Sequence, residues 1–247
     1  MPSLTPPSAP AAVDSFASTT KNRGQHQAFL DQVTGARRDD YLDWFKTLPL
    51  WLDLGGLRIV HACWHEDSMR TVVEQLGSNQ FDTLDQLVQA STKGDPLFEA
   101  VEILLKGPEI SLLGYGQPAY CDKDGHHRKQ ARLRWWNEEA TTLRAIAEMG
   151  GDFRTDDGDS YPPLPDVEVP VGDRSFVYTG KVPVVYGHYW RRGTPRYLLD
   201  WTAHTACVDF SAVVKGGRLI AYRWSGEQEV WPESYWPNTK GTVGQVT

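Results

Sequence analysis

Two histidines in this chain stand where a strand should end, and a histidine in that position can hold a metal ion. The stretch Leu48-Pro49-Leu50-Trp51-Leu52-Asp53-Leu54-Gly55-Gly56-Leu57-Arg58-Ile59-Val60-His61 reads as two strands closed by a Gly-Gly turn, the second an apolar run that stops on His61. Lys181-Val182-Pro183-Val184-Val185-Tyr186-Gly187-His188-Tyr189-Trp190 repeats the pattern far along the chain: a β-branched run, a small residue, then His188. Ligands of open α/β sheets gather outside the carboxyl ends of the strands, so histidines from distant segments can converge there on one ion. Gly187 is expected to let the backbone bend so that the His188 imidazole projects from the sheet end. The plainer alternative is that each histidine is a hydrogen-bonded rim residue.

Other reactive groups cluster less sharply. Gly125-His126-His127-Arg128-Lys129-Gln130-Ala131-Arg132-Leu133-Arg134-Trp135-Trp136 is the most basic segment. Arg132 or Arg134 beside aromatic surface could grip a phosphoryl group, because guanidinium presents a fork of donors to phosphate oxygens. The alternative is a charged helix face with two core tryptophans. His126-His127 lacks the i, i+4 spacing of a helical metal pair and reads as surface. Arg191-Arg192-Gly193 is placed to offset anionic charge, or is simply solvated. His65 and Glu66 invite an acid–base role, but carboxylates at a helix start commonly just complement its dipole. Cys63 reads as a small buried thiol, Asp209 as structural, and His204 as a residue that could steady a metal-bound imidazole. The acidic run Thr155-Asp156-Asp157-Gly158-Asp159-Ser160 lacks the register of a calcium loop and reads as exposed.

The elements that must position these groups are legible in outline. Asn22 caps an expected helix over 23–33 that Gly35 closes, and Asp39 or Asp40 opens a second that Pro49 ends. A helix follows His65 and runs through Leu76; residues 81–105 are expected to be helical, broken near Gly94-Asp95-Pro96. Residues 206–224 read as two strands joined around Gly216-Gly217.

Composition narrows the function. A formal net charge of -7 disfavours binding to duplex nucleic acid, which needs a basic footprint. Three widely spaced cysteines give neither a disulfide framework nor zinc-ribbon spacing, and the expected compartment is a reducing cytoplasm. No apolar run approaches the roughly 18 residues of a membrane span. Residues 1–20, with four prolines and one charged residue, read as a disordered tail ahead of a folded region over 21–247.

The Leu-Pro-Leu lead-in, the hairpin ending in Val60-His61-Ala62 and the later Val185-Tyr186-Gly187-His188 resemble the two carboxy-terminal ligand motifs of calcineurin-like metallophosphoesterases, within them the bacterial phosphoprotein-phosphatase branch that includes symmetrical dinucleoside-tetraphosphatases. The resemblance runs from about Lys21 to about Glu229. It implies an α/β fold, the carboxy-terminal part of an αββα sandwich with mixed sheets and a helical cap insert over about 66–150. It also implies a divalent metal (Mn, Fe or Zn), with His61 and His188 on the same ion, a phosphate-ester substrate, and Arg134, with Arg132 beside it, on the substrate phosphate.

The family's amino-terminal motifs, Gly-Asp-x-His-Gly, Gly-Asp-x-x-Asp-Arg-Gly and Gly-Asn-His-Glu, are absent from this sequence. The Gly-Asp pairs at 94–95, 151–152, 158–159 and 172–173 continue into none of them. With those motifs go the bridging aspartate, the asparagine ligand and the acid histidine, so no residue is assigned a catalytic role. The chain alone is expected to be inactive: part of a truncated enzyme, a non-catalytic remnant or interaction protein, or one half of a split enzyme. Sheet edges left bare by the missing strands would then favour a complementing chain or self-association.

Overall fold

The computed structural model describes residue 27 and residues 29–122, 125–150 and 153–237. The expected tail over 1–20 and the expected cap Asn22 lie outside the described residues. The chain divides into two compact units, Met1–Leu48 and Pro49–Thr247.

In the first unit, helix α1 (Ala36–Lys46) begins earlier than Asp39. Gly35, at φ 59°, turns the chain, and its carbonyl already accepts from Arg38 and Asp39. Phe29, Tyr41, Trp44 and Phe45 meet in edge-on and tilted ring contacts, yet none is buried.

The second unit is mixed α/β, with several small sheets and few helices. Strands β1 (Trp51–Asp53) and β2 (Arg58–Val60) form the expected antiparallel hairpin. Gly55 takes φ 80° at the turn, where its N–H donates to Asp53 Oδ1 at 2.9 Å. β2 then pairs in parallel with β8 (Val184–Tyr186), β8 in parallel with β10 (Thr205–Cys207), and β10 antiparallel with β9 (Trp201–Thr202). The sheet order is β1-β2-β8-β10-β9. Side chains alternate across it as pleating demands: Val184, Tyr186 and Cys207 join one core, Val185 and Ala206 the other.

Two amphipathic helices contribute to the first of those cores. Helix α2 (Glu66–Leu76) buries Met69, Val72 and Leu76, one face of a 3.6-residue period, and ends on Gly77 at φ 76°. Helix α3 (Leu84–Gln89) opens with a Thr83/Gln86 capping box. Helix α4 (Pro96–Lys106) buries Leu97, Ala100, Val101 and Leu104. Asp95 Oδ1 accepts from the Leu97 N–H at 2.8 Å and proline takes the first helical position, so the expected break near 94–96 is a helix start. Trp135 and Trp136, almost wholly buried, pack against Tyr186 and complete this core.

A second sheet, β3 (Glu109–Ser111), β6 (Gln130–Leu133) and β7 (Ala147–Glu148), is antiparallel throughout. With the short helix α5 (Leu143–Ile146) it encloses a separate core of Ile110, Leu112, Leu133, Leu143 and Ile146. The region 66–150 is thus shared between two cores. The basic segment is therefore not a helix face: His127–Arg128 is β5, paired with β4 (Tyr120–Cys121), and Gln130–Leu133 is a central strand. Nor do residues 206–224 close as a hairpin. Two tight turns, Val214 N–H to the Ser211 carbonyl and Gly217 N–H to the Val214 carbonyl, bring the Arg218 N–H back to the Phe210 carbonyl at 2.9 Å, and β11 (Ala221–Tyr222) pairs instead with β12 (Tyr235–Trp236).

Candidate functional site

His61 follows directly on β2 and His188 lies two residues past β8, so the parallel pairing of those strands delivers both to the same sheet end. The Gly187 N–H donates to the His61 carbonyl at 2.9 Å, extending the ladder by one bond. The two rings stand with centroids 5.5 Å apart and planes 57° from parallel, within reach of one ion about 2.0–2.1 Å from a nitrogen of each. The expected bend falls on His188 itself: its φ is 71°, and the Tyr189 N–H donates to the Gly187 carbonyl at 2.9 Å, making a three-residue turn centred on the histidine. A positive φ at a residue with a Cβ is strained, and such strain concentrates at functional sites. At Gly187 neither φ nor space demands a glycine, because a Cβ there would make only ordinary contacts, 3.5 Å from the Asp209 Cβ and 3.6 Å from the His61 carbonyl oxygen.

Asp209 reaches this place from the third parallel strand, two residues past β10. Its carboxylate accepts from the Ser211 N–H at 3.0 Å and its charge favours protonation of both histidines. Burial outweighs that charge. Desolvation first, then Arg132 and His61, push His188 down to about 4, and desolvation lowers His61 as well although much of that residue meets solvent. Both imidazoles are therefore neutral at neutral pH, the form that ligates metals. Asp209 carried no sequence motif; its offset from β10, equal to that of His188 from β8, was the available signal.

Of the two candidate phosphate-binding arginines, Arg132 lies close enough to act electrostatically on His188. Its Nη1 donates to the Gly107 carbonyl at 2.9 Å and lies 3.2 Å from Glu109. Arg134 is taken up elsewhere: Nε donates to Glu148 at 2.8 Å, and the side chain lines a cleft of about 670 Å³ whose walls include neither histidine. Arg191 is a correction. Instead of facing an anion in solvent it is buried, with Nη1 donating to Glu148 at 2.9 Å and Nε 3.2 Å from the fully buried Asp200. Its guanidinium lies over the Trp136 ring, so its charge is spent inside the fold. His204 is another correction, since it precedes β10 and its carbonyl accepts from Val184 at the start of β8, at the sheet end opposite His188. His65 caps α2, accepting from the Ser68 N–H, and Cys63 is a fully buried thiol that burial holds well above its ordinary pKa.

Set against family models, curated proteins and solved structures, the chain matches none. Its own donor sets therefore decide what it can hold. His61 and His188 offer two nitrogens, where one ion takes about four donors and a two-ion centre needs a bridging carboxylate as well. With Asp209 they do not close into a compact ligand group, so the residues present do not fit a dinuclear centre.

Among the described residues, one such group does close. Cys121, His127 and Asp156 could hold a metal ion, their ligand atoms all lying within 4.8 Å of one another. Cys121 and His127 are cross-strand partners on β4 and β5, and Asp156 follows the isolated bridge that ties Arg154 to Cys121. Sequence reasoning set all three aside. The third residue lies far from the others in the chain, and β pairing, not i, i+4 spacing, brings His127 to the thiol.

Proposed function

We propose that this chain is related to the calcineurin-like metallophosphoesterases and carries only the two carboxy-terminal histidine ligands of their metal centre. The observation that carries this reading is the meeting of His61 and His188, neutral and 5.5 Å apart, at the ends of adjacent parallel strands. The parallel β2-β8-β10 core would then belong to an αββα sandwich, the ion would be Mn, Fe or Zn, and Arg132 would face the phosphate ester. Arg134, held by Glu148, would act at one remove. Three free cysteines accord with a reducing cytoplasm.

With two histidines and no bridging carboxylate between them, the chain by itself neither holds two ions nor turns over a phosphate ester. Its role is to present a half-site. β1 lies at the edge of its sheet, with Leu52 and Leu54 exposed, and such an edge can pair with a complementing chain or a second copy. Hydrolysis of an aryl phosphate with added Mn²⁺ should not exceed that of His61→Ala. Turnover that His61→Ala abolishes would overturn the reading.

A further inference from the structure

A second site stands apart from the histidine pair. We propose that Cys121, His127 and Asp156 bind one zinc ion on the outer hairpin. Their donors form a small triangle: Cys121 Sγ is 3.8 Å from His127 Nδ1 and 3.9 Å from Asp156 Oδ1, and those last two atoms are 2.9 Å apart. Zinc bonds of about 2.3 Å to sulfur and about 2.0–2.2 Å to nitrogen and oxygen, at tetrahedral angles, require donor separations of roughly 3.3–3.6 Å. Each side of the triangle is within a few tenths of an ångström of that range, so side-chain adjustment alone closes the site.

The backbone explains why the triangle exists. Cys121 and His127 are directly opposed on β4 and β5 and therefore project to the same face. The Cys121 N–H donates to the Arg154 carbonyl at 2.8 Å, which lays the next segment alongside, and Asp156, two positions on, returns to that face. The loop carrying Asp156 is braced internally: the Thr155 N–H donates to Asp159, the Gly158 N–H to Thr155, and Arg154 Nη1 to the Gly158 carbonyl.

Thiolate, imidazole and carboxylate together suit zinc, and the thiolate disfavours the oxygen-seeking Mg²⁺ and Mn²⁺. Binding would form Zn–S, Zn–N and Zn–O bonds and release the Cys121 thiol proton to solvent, leaving the +2 ion balanced by one thiolate and one carboxylate. His127 and Asp156 are exposed, so the fourth position is open to water or an exogenous donor. The ion would tie residues 153–160 to the hairpin and so fix one wall of the cleft lined by Phe153, Arg154, Ser160 and Tyr161.

Titration of the full, metal-free chain with Co²⁺ as a spectroscopic stand-in, then with Zn²⁺ in competition, tests the proposal. One equivalent should bind with a sulfur-to-cobalt charge-transfer band that Cys121→Ser removes. Asp156→Asn should weaken zinc binding more than about tenfold while leaving the melting curve of the metal-free chain unchanged. His61→Ala should leave the sulfur-to-cobalt band in place, because only the thiolate of Cys121 gives rise to it, which separates this site from the one assigned above. Absence of binding at micromolar zinc, or a charge-transfer band that survives Cys121→Ser, would overturn it.

Discussion

The histidine pair and the hairpin triangle offer the same kind of donors from opposite kinds of structure. His61 and His188 come from the ends of parallel strands, with His188 in a strained conformation, beside a core of Trp135, Trp136 and Tyr186. Cys121, His127 and Asp156 sit on a two-stranded hairpin and its neighbouring loop, largely in solvent. The difference teaches that chemistry at the first place is tied to folding stability, whereas chemistry at the second can change at little cost to the fold.

The largest test of that contrast is Trp135→Ala. The indole is fully buried against Tyr178, Trp136 and Tyr186, and its backbone carbonyl accepts from the Tyr178 N–H at 2.7 Å. Its removal should cost about 3–5 kcal/mol in urea unfolding. A loss below about 1 kcal/mol would mean that the sheet site does not depend on this core.

Gly107→Ala comes next. The residue has φ 78°, a Cβ there would overlap the Tyr189 hydroxyl, and its carbonyl holds Arg132. About 1–3 kcal/mol should be lost. The imidazole NMR signals of His61 and His188 should shift while that of His127 stays put; movement of all three would erase the distinction between the regions.

The smallest effect is on acid stability. His188 sits at about 4 when folded against an ordinary 6.5, so between those pH values the unfolded chain takes up a proton that the folded chain refuses. Stability is complete above about pH 6.5 and should fall by about 1–2 kcal/mol as pH drops toward 4. His188→Gln should flatten that slope in urea midpoints measured across the window. An unchanged slope would show that the imidazole is not desolvated as the geometry requires.

Where the physics is local, the sequence was a good guide. The Gly-Gly turn between β1 and β2, the stop of the helix after Leu76 and the break before Pro96 all rest on dihedral freedom or caps within a few residues. Where partners are distant it misled. Residues 125–136 left a helix face open as one alternative, although Ala131-Arg132-Leu133-Arg134-Trp135 alternates with the period of a strand, and pairing with Glu109–Ser111 makes Gln130–Leu133 one. Arg191 looked solvated because Glu148 and Asp200, which hold it inside, are remote in sequence or unremarkable in type.

By itself, then, the sequence determined which histidines end strands, which segments are amphipathic, and that no described helix would be long and apolar enough to cross a membrane. The tertiary structure decided that β2, β8 and β10 run side by side, that Asp209 comes near the two histidines without closing a ligand group, that His204 lies at the opposite sheet end, and that Cys121, His127 and Asp156 meet. The physical reason is range. Caps, turns and hydrophobic periods are settled within a few residues, but convergence of side chains follows from strand order and register, which only the closing of long loops around a shared core selects.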